Sequence, residues 1–181
     1  MNETIPAALT AAVRRDPTVP LLTWYDDASG DRTELSGATL ANWVAKTANL
    51  LGDGAGLGTG DAAAVLLPPH WQTAAILLGT WSAGLTAETG PDPRPADVLF
   101  TEPGGVEAAA AWSAGDRYAT GLLPLAMPLR PLPAGYADYT IEVRGFGDHF
   151  AGVPLSAADR ARTIQVAIDP AMGADDIATP G

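Results

Sequence analysis

Residues 60–84, GDAAAVLLPPHWQTAAILLGTWSAG, decide the fold class of this 181-residue chain. The run AAAVLL is continuously apolar over the length of a strand, which is typical of a parallel strand covered on both faces. Pro68 and Pro69 cannot continue a strand ladder, and apolar residues then recur at helical spacing from Trp71 to Ser82. The stretch therefore predicts a buried strand, a tight turn and a deeply buried helix.

Further strands and helices alternate after this unit. The segments LTAET, DVLFT and RYATGLL, at residues 85–89, 97–101 and 117–123, predict short strands, and EPGGVEAAAAWSAG at residues 102–115 predicts a weak helix. Strands that alternate with helices indicate an α/β protein. We expect a layered open sheet, mostly parallel and flanked by helices.

The residues before the core predict a helix and a hairpin. Residues 6–15 suit a short helix that stops at Asp16-Pro17, and LLTWYDD and DRTEL suit two strands joined at Gly30. Ser36 stands at an N-cap position before an amphipathic helix that Gly52 ends. The glycine-dense residues 52–61 precede a strand, so they indicate a connector and not a dinucleotide fingerprint.

The residues after the core predict a proline-rich connection and a late strand. Residues 124–137 are the connection, and DYTIEVR at residues 138–144 alternates apolar and polar, which predicts an antiparallel edge strand. SAADRAR and TIQVAI predict a short helix and a last strand before the tail. We expect a single domain over residues 1–181, divided into 1–36, the core 37–123, the connection 124–137 and the remainder 138–181.

Composition bounds the partners and the compartment. Ten basic and 21 acidic residues give a net charge of −11, which disfavours nucleic acid and anionic membranes through Coulomb repulsion. The chain has no cysteine, starts without the positive-then-apolar order of a signal peptide, and has no apolar run near the ~20 residues that span a bilayer. We expect a cytoplasmic protein with a small-molecule or protein partner, and the oligomeric state stays open.

Candidate ligand-binding residues follow the ends of the predicted parallel strands. Open α/β sheets bind ligands outside the carboxyl ends of their strands. The residues there are His70 after the first strand, Glu88 and Thr89 after the second, and Thr101 and Glu102 after the third. A helix N-terminus disfavours a charged imidazole, so His70 suits a neutral hydrogen-bonding role, although a simple helix cap explains it as well.

The same sequence excludes several kinds of catalytic site. Lys46 is its only lysine and lies in a helical pattern without flanking glycines, so no phosphate loop closing on a lysine can be built from it. His70 and His149 are 79 positions apart with no metal-ligand spacing around them, and Ser82 and Ser113 lack the glycine that a nucleophile elbow requires. We expect no catalytic residue, no metal and no cofactor.

Residues 16–101 resemble the opening of the adenylate-forming (AMP-binding) enzymes, the superfamily of acyl-CoA synthetases, luciferases and peptide-synthetase adenylation domains. The resemblance is carried by the hairpin that ends in RTELS, the long helix after it, the pattern GTGDAAAVLLP and the apolar helix that ends in AGL. The later part of the chain is similar to short actinobacterial-type proteins that carry only this front portion.

This resemblance implies a layered α/β body and, in full-length relatives, ATP-dependent activation of a carboxylate. The family's glycine-rich phosphate loop and the small C-terminal domain with its catalytic lysine have no counterpart in the 181 residues. We therefore expect a catalytically silent relative that binds a small ligand or a protein. The alternatives are the front half of a split acyl-activating ligase completed by a partner, and a remnant without activity.

Overall fold

The computed structural model describes residues 4–123 and 125–152. The predicted last helix and strand, within residues 156–168, lie outside the described residues. The helices are α1 Ile5–Arg15, α2 Gly37–Asn49, α3 Trp71–Ser82, α4 Val106–Ala109 and α5 Tyr139–Glu142. The strands are β1 Pro20–Tyr25, β2 Arg32–Ser36, β3 Ala62–Leu66, β4 Thr86–Glu88, β5 Val98–Thr101, β6 Asp116–Ala119 and β7 Ala137–Asp138.

Five strands form one parallel sheet in the order β4-β3-β5-β6-β7. Every residue of β5 is buried, and so are Ala63, Ala64 and Val65 of β3, as the continuous apolar runs predict for strands covered on both faces. The predicted α/β class with a mostly parallel sheet is confirmed. The weak helix of residues 102–115 is much shorter than predicted, with one 3-10 turn before the four residues of α4.

The N-terminal elements follow the predicted local signals. β1 and β2 pair antiparallel as a separate two-stranded hairpin, and Gly30 in its turn has φ of 78°. The hydroxyl of Ser36 accepts a hydrogen bond from the backbone N–H of Thr39 and caps α2. α2 ends at Asn49, and one wider π turn at Leu50–Gly54 follows it.

The largest core cluster lies where α2 and α3 pack against the sheet. It includes the fully or almost fully buried Leu51, Ile76, Phe100 and Tyr139. α2 and α3 approach each other closely at Gly79, where an added Cβ would lie 2.5 Å from the Cβ of Thr47. A glycine at this position therefore sets the separation of the two helices.

The predicted antiparallel edge strand at residues 138–144 is wrong. β7 has two residues and pairs parallel with β6, and the chain then forms α5 and a 3-10 turn. The Asp138 carboxylate caps α5 by accepting a hydrogen bond from the N–H of Thr140 at 2.8 Å. Tyr139 and Val143 are buried one helical turn apart, whereas Ile141 is 47% exposed, so the alternation did not mark two faces of a strand.

In the part of the chain that the structure describes, no helix has the length and apolar character needed to span a membrane.

Candidate functional site

A cavity of about 930 Å³ lies at the carboxyl ends of β3 and β4. The hairpin strand β1 contributes one wall, and α3 and the residues around α4 contribute others. Its apolar wall includes Leu22, Val65, Leu66, Leu67, Pro68, Pro69, Ala74, Leu77, Ala87, Pro91 and Ala108. A concave, mostly apolar site at this edge of a parallel sheet is the usual place for a small-molecule ligand in an open α/β fold.

Tryptophan side chains dominate the wall of this cavity. Of the five tryptophans in the chain, Trp24, Trp71, Trp81 and Trp112 line it. Trp71 and Trp81 lie ten residues apart on α3, about 15 Å along the helix axis, so they mark two distant parts of the cavity. The guanidinium of Arg117 donates hydrogen bonds to the backbone carbonyls of Trp112 and Ala109 and so fixes the backbone at Trp112.

His70 lies in the same wall and caps α3. Its Nδ1 accepts a hydrogen bond from the backbone N–H of Gln72 at 3.1 Å, and the ring of Trp24 meets the imidazole edge-on with 4.4 Å between centroids. The residue is 6% exposed, and burial lowers its pKa from 6.5 to about 4. The imidazole is therefore neutral at pH 7. Because Nδ1 accepts a hydrogen bond, it carries no hydrogen, and the neutral ring has its hydrogen on Nε2.

Three N–H groups of the cavity-lining side chains are buried without an acceptor within residues 4–123 and 125–152. They are Nε2–H of His70, Nε1–H of Trp71 and Nε1–H of Trp81. A buried donor without a partner has lost its water and gained nothing in return, at a cost of about 1–3 kcal/mol. Such groups are unusual in native structures.

The structure brings together three of the five ligand-binding residues predicted from sequence. His70, Thr89 and Glu102 line the cavity, whereas Glu88 and Thr101 are not part of its wall. Glu88 instead forms an ion pair with Arg94 at 3.3 Å, and buried Thr101 donates its hydroxyl to the carbonyl of Glu102. Whether the three lining residues bind a ligand remains a prediction.

Sequence reasoning missed the tryptophans that enclose the site. The sequence patterns place Trp81 and Trp112 in predicted helices and Trp24 in a predicted hairpin strand, and none of these patterns marks a binding site. Trp24 also donates from Nε1 to the carbonyl of Pro69 at 3.0 Å and so joins the hairpin to the loop after β3. The available signal was the position of tryptophans close to predicted strand ends, where large amphipathic rings favour a binding surface.

Lys46 has a structural role in the described chain. Its Nζ donates to the carbonyl of Phe146 at 2.7 Å, a contact between residues 100 positions apart. The side chain is half-buried and joins α2 to the turn after α5. Lys46 is not among the residues that line the tryptophan-walled cavity.

Comparison with known proteins gives one curated relative and many structural neighbours. The chain is 46% identical over 155 residues to a TIGR03089 family protein of Mycobacterium tuberculosis (strain ATCC 25618 / H37Rv), over 80% of this chain and 63% of that protein. The chain thus spans less than two thirds of the length of this relative. No family model matches the sequence.

Solved structures that resemble this fold include an acyl-CoA synthetase and a CoA ligase. An acyl-CoA synthetase from Brucella canis has a TM-score of 0.64 at 22% identity and is matched over 81% of this chain and 28% of its own. The anthranilate CoA ligase AuaEII, in complex with anthranoyl-AMP, has a TM-score of 0.62 at 14% identity over 81% and 29%. ATP-bound MatB from Rhodopseudomonas palustris has a TM-score of 0.56 at 18% identity over 88% and 31%. The resemblance of the fold to a front portion of the adenylate-forming enzymes is confirmed.

Proposed function

We propose that this chain, whose fold is that of a part of the adenylate-forming ligases, is a binding module for a small apolar molecule and does not itself catalyse adenylation. The observation that carries the proposal is the cavity at the carboxyl edge of the sheet with four tryptophans in its wall. Its volume of about 930 Å³ lies within the range of small-molecule sites. His70, Thr89 and Glu102 supply the few polar groups that would orient a ligand.

The charge of the cavity wall favours an apolar ligand over a nucleotide. Among the described residues that line the cavity, Glu102 is the one acidic residue, and neither lysine nor arginine contributes to the wall. A triphosphate requires cations or convergent backbone N–H groups to offset its charge, and a carboxylate at the same site repels it. An apolar ligand meets no such penalty.

Titration of intrinsic tryptophan fluorescence tests the proposal, because a ligand in the cavity would contact several of the emitting rings. The panel contains fatty acids, aromatic ketones and acids, AMP, ATP and coenzyme A. We expect saturable changes with apolar compounds and none with ATP. A thermal shift should accompany binding, since a ligand at 100 times its Kd stabilises the folded state by about 2.7 kcal/mol.

A matched pair of variants separates the cavity from the rest of the surface. Ala108 lines the cavity and Ala110 does not, and both are exposed residues at the end of α4. Ala108→Phe should fill the cavity and weaken binding at least tenfold, whereas Ala110→Phe should bind as the parent chain does. Equal affinities of the two variants would contradict a site in this cavity.

The fold match favours a second candidate function, the front part of a split acyl-activating ligase. The chain matches 28–31% of the length of the three solved structures described above. ATP–pyrophosphate exchange, measured for the purified chain alone and with the products of neighbouring genes, separates the candidates. Exchange that appears only with a second protein supports a split ligase, and exchange by the chain alone refutes the binding-module proposal.

A further inference from the structure

The unpartnered N–H groups in the wall indicate which class of apolar molecule the cavity would take. This step rests on the proposed function, since it assumes that the cavity binds a ligand. His70 and Trp71 are adjacent at the start of α3, with 5.6 Å between ring centroids, and each has a buried N–H without an acceptor in the described chain. The two side chains therefore lie at one end of the cavity.

We propose that the cavity selects molecules whose apolar body ends in an uncharged hydrogen-bond acceptor, such as the carbonyl of a ketone, ester or amide, and that Nε2–H of His70 binds this oxygen. The body of the ligand extends along α3 past Ala74 and Leu77 towards Trp81, which are spaced three or four residues apart on one helix face. Trp71 offers the second donor to the same oxygen.

The donors are prepared for an acceptor because they are already dehydrated. Nδ1 of His70 accepts a hydrogen bond from the N–H of Gln72, so the hydrogen of the neutral imidazole stays on Nε2. An incoming carbonyl gains a hydrogen bond without displacing water from the imidazole, whereas its own dehydration and the movement of Trp24 oppose binding. Nε2 of His70 is buried and the half-buried ring of Trp24 packs edge-on against the imidazole, so the carbonyl reaches Nε2 when this ring moves aside.

The charge of the cavity wall favours an uncharged acceptor on the ligand. A carboxylate would supply acceptors too, but the described residues that line the cavity include no lysine or arginine, and the acidic Glu102 among them repels an anion. Neutral N–H donors do not offset that repulsion. An ammonium group would be attracted to Glu102 and to the tryptophan faces but has no lone pair to accept from His70 or Trp71. An uncharged carbonyl satisfies the donors and avoids both problems.

Four probes of similar size test this selectivity on the full chain. They are the ketone 4-phenylbutan-2-one, the hydrocarbon butylbenzene, the anion 3-phenylpropanoate and the cation 3-phenylpropylammonium. In ¹H–¹⁵N spectra the ketone should move the Nε2–H resonance of His70 and the indole resonance of Trp71 downfield, and butylbenzene should not. The preference for the ketone over butylbenzene is the ratio of their dissociation constants.

His70→Ser removes the imidazole Nε2–H and keeps a shorter side chain whose hydroxyl can cap α3. We expect the ketone preference to fall about fivefold in this variant, the size of one ordinary hydrogen bond. His149→Ser is the matched control, because His149 does not line this cavity, and it should leave the preference unchanged. If His70→Ser does not fold, the N–H shifts in the parent chain decide the question.

The possible failures are distinguishable. If none of the four probes binds, both the proposed function and this inference are refuted. If butylbenzene binds and His70→Ser leaves the ketone preference unchanged, or the ketone moves neither N–H resonance, the cavity binds apolar molecules but the assignment to His70 is wrong. If the anion or the cation binds tightest, the cavity recognises a charged group and the inference is overturned.

Discussion

The buried neutral imidazole of His70 should make the protein sensitive to mild acid. Burial holds the pKa of His70 at about 4 in the folded chain, against 6.5 for an ordinary histidine. Between these two values the unfolded chain binds a proton at this position and the folded chain does not, so the free energy of unfolding falls as the pH falls. Above pH 7 the residue is neutral in both states and has no effect on the pH dependence.

The pKa shift of His70 sets the size of the effect. At 1.36 kcal/mol per pKa unit, the shift corresponds to at most about 3 kcal/mol lost between pH 7 and pH 4. Water at the mouth of the cavity screens part of this, so we expect a loss of about 1–2 kcal/mol. For a chain of this length that is a decrease of roughly 3–6 °C in Tm.

The variant His70→Asn isolates this contribution. Asparagine is an equally good N-cap and does not titrate, so α3 keeps its cap while the acid-sensitive group is removed. Thermal unfolding of both proteins from pH 7 to pH 4, with the difference taken at each pH, cancels other acid effects such as those of Asp16 and Asp26. The hydrogen bonds of these two carboxylates lower their pKa values. The parent chain should lose stability faster than the variant below pH 6.5. Parallel curves would refute the neutral buried imidazole.

Two further predictions concern Thr47 on α2, which contacts Gly79 of α3 and Tyr139 of α5. Gly79→Ala should lower the free energy of unfolding by about 1–2 kcal/mol although alanine favours helix, because the new Cβ would lie 2.5 Å from the Cβ of Thr47. Gly104→Ala is the control, because the position of its Cβ is open space, and it should change the free energy of unfolding by less than about 0.5 kcal/mol. Urea titrations measure both changes. Thr47→Val should cost about 1–3 kcal/mol, since it leaves the buried hydroxyl of Tyr139 without its acceptor at 2.7 Å, whereas Tyr139→Phe removes that hydroxyl and should cost less. An equal cost for the two substitutions would contradict this assignment of donor and acceptor.

The direction of the Thr47–Tyr139 hydrogen bond follows from the surroundings of the two hydroxyls. Thr47 already donates to the carbonyl of Trp43 at 2.8 Å, so it accepts from Tyr139. Burial raises the pKa of Tyr139, so its hydroxyl stays protonated and available as a donor. The pair joins α2 to α5 across 92 residues of sequence.

The sequence predicts elements well where the signal is local. The Ser36 cap, the Gly30 turn and the apolar runs of β3 and β5 depend on residues within a few positions of each other, and each is confirmed. His70 at the start of α3 is of the same kind, since a strand, two prolines and an apolar helix leave one position for the cap. Local backbone chemistry is sufficient to specify these features.

The prediction for residues 138–144 is wrong because its alternation is compatible with two structures. Tyr139, Ile141 and Val143 fit one face of a strand, but Tyr139 and Val143 also lie one turn apart on a helix. The cap supplied by Asp138 and the hydrogen bond from Tyr139 to Thr47 favour the helix. The second of these contacts lies far away in sequence, so no local pattern could include it.

By itself the sequence determined the α/β class and the order of most elements, because periodicity and capping act over a few residues. Only the tertiary structure decided that tryptophans from β1, α3 and the end of α4 enclose one cavity, and that His70 and Glu102 lie in its wall while Glu88 pairs with Arg94. Burial and unpartnered N–H groups depend on all the surrounding chain. They arise when segments separated by tens of residues pack together, and no single segment encodes them.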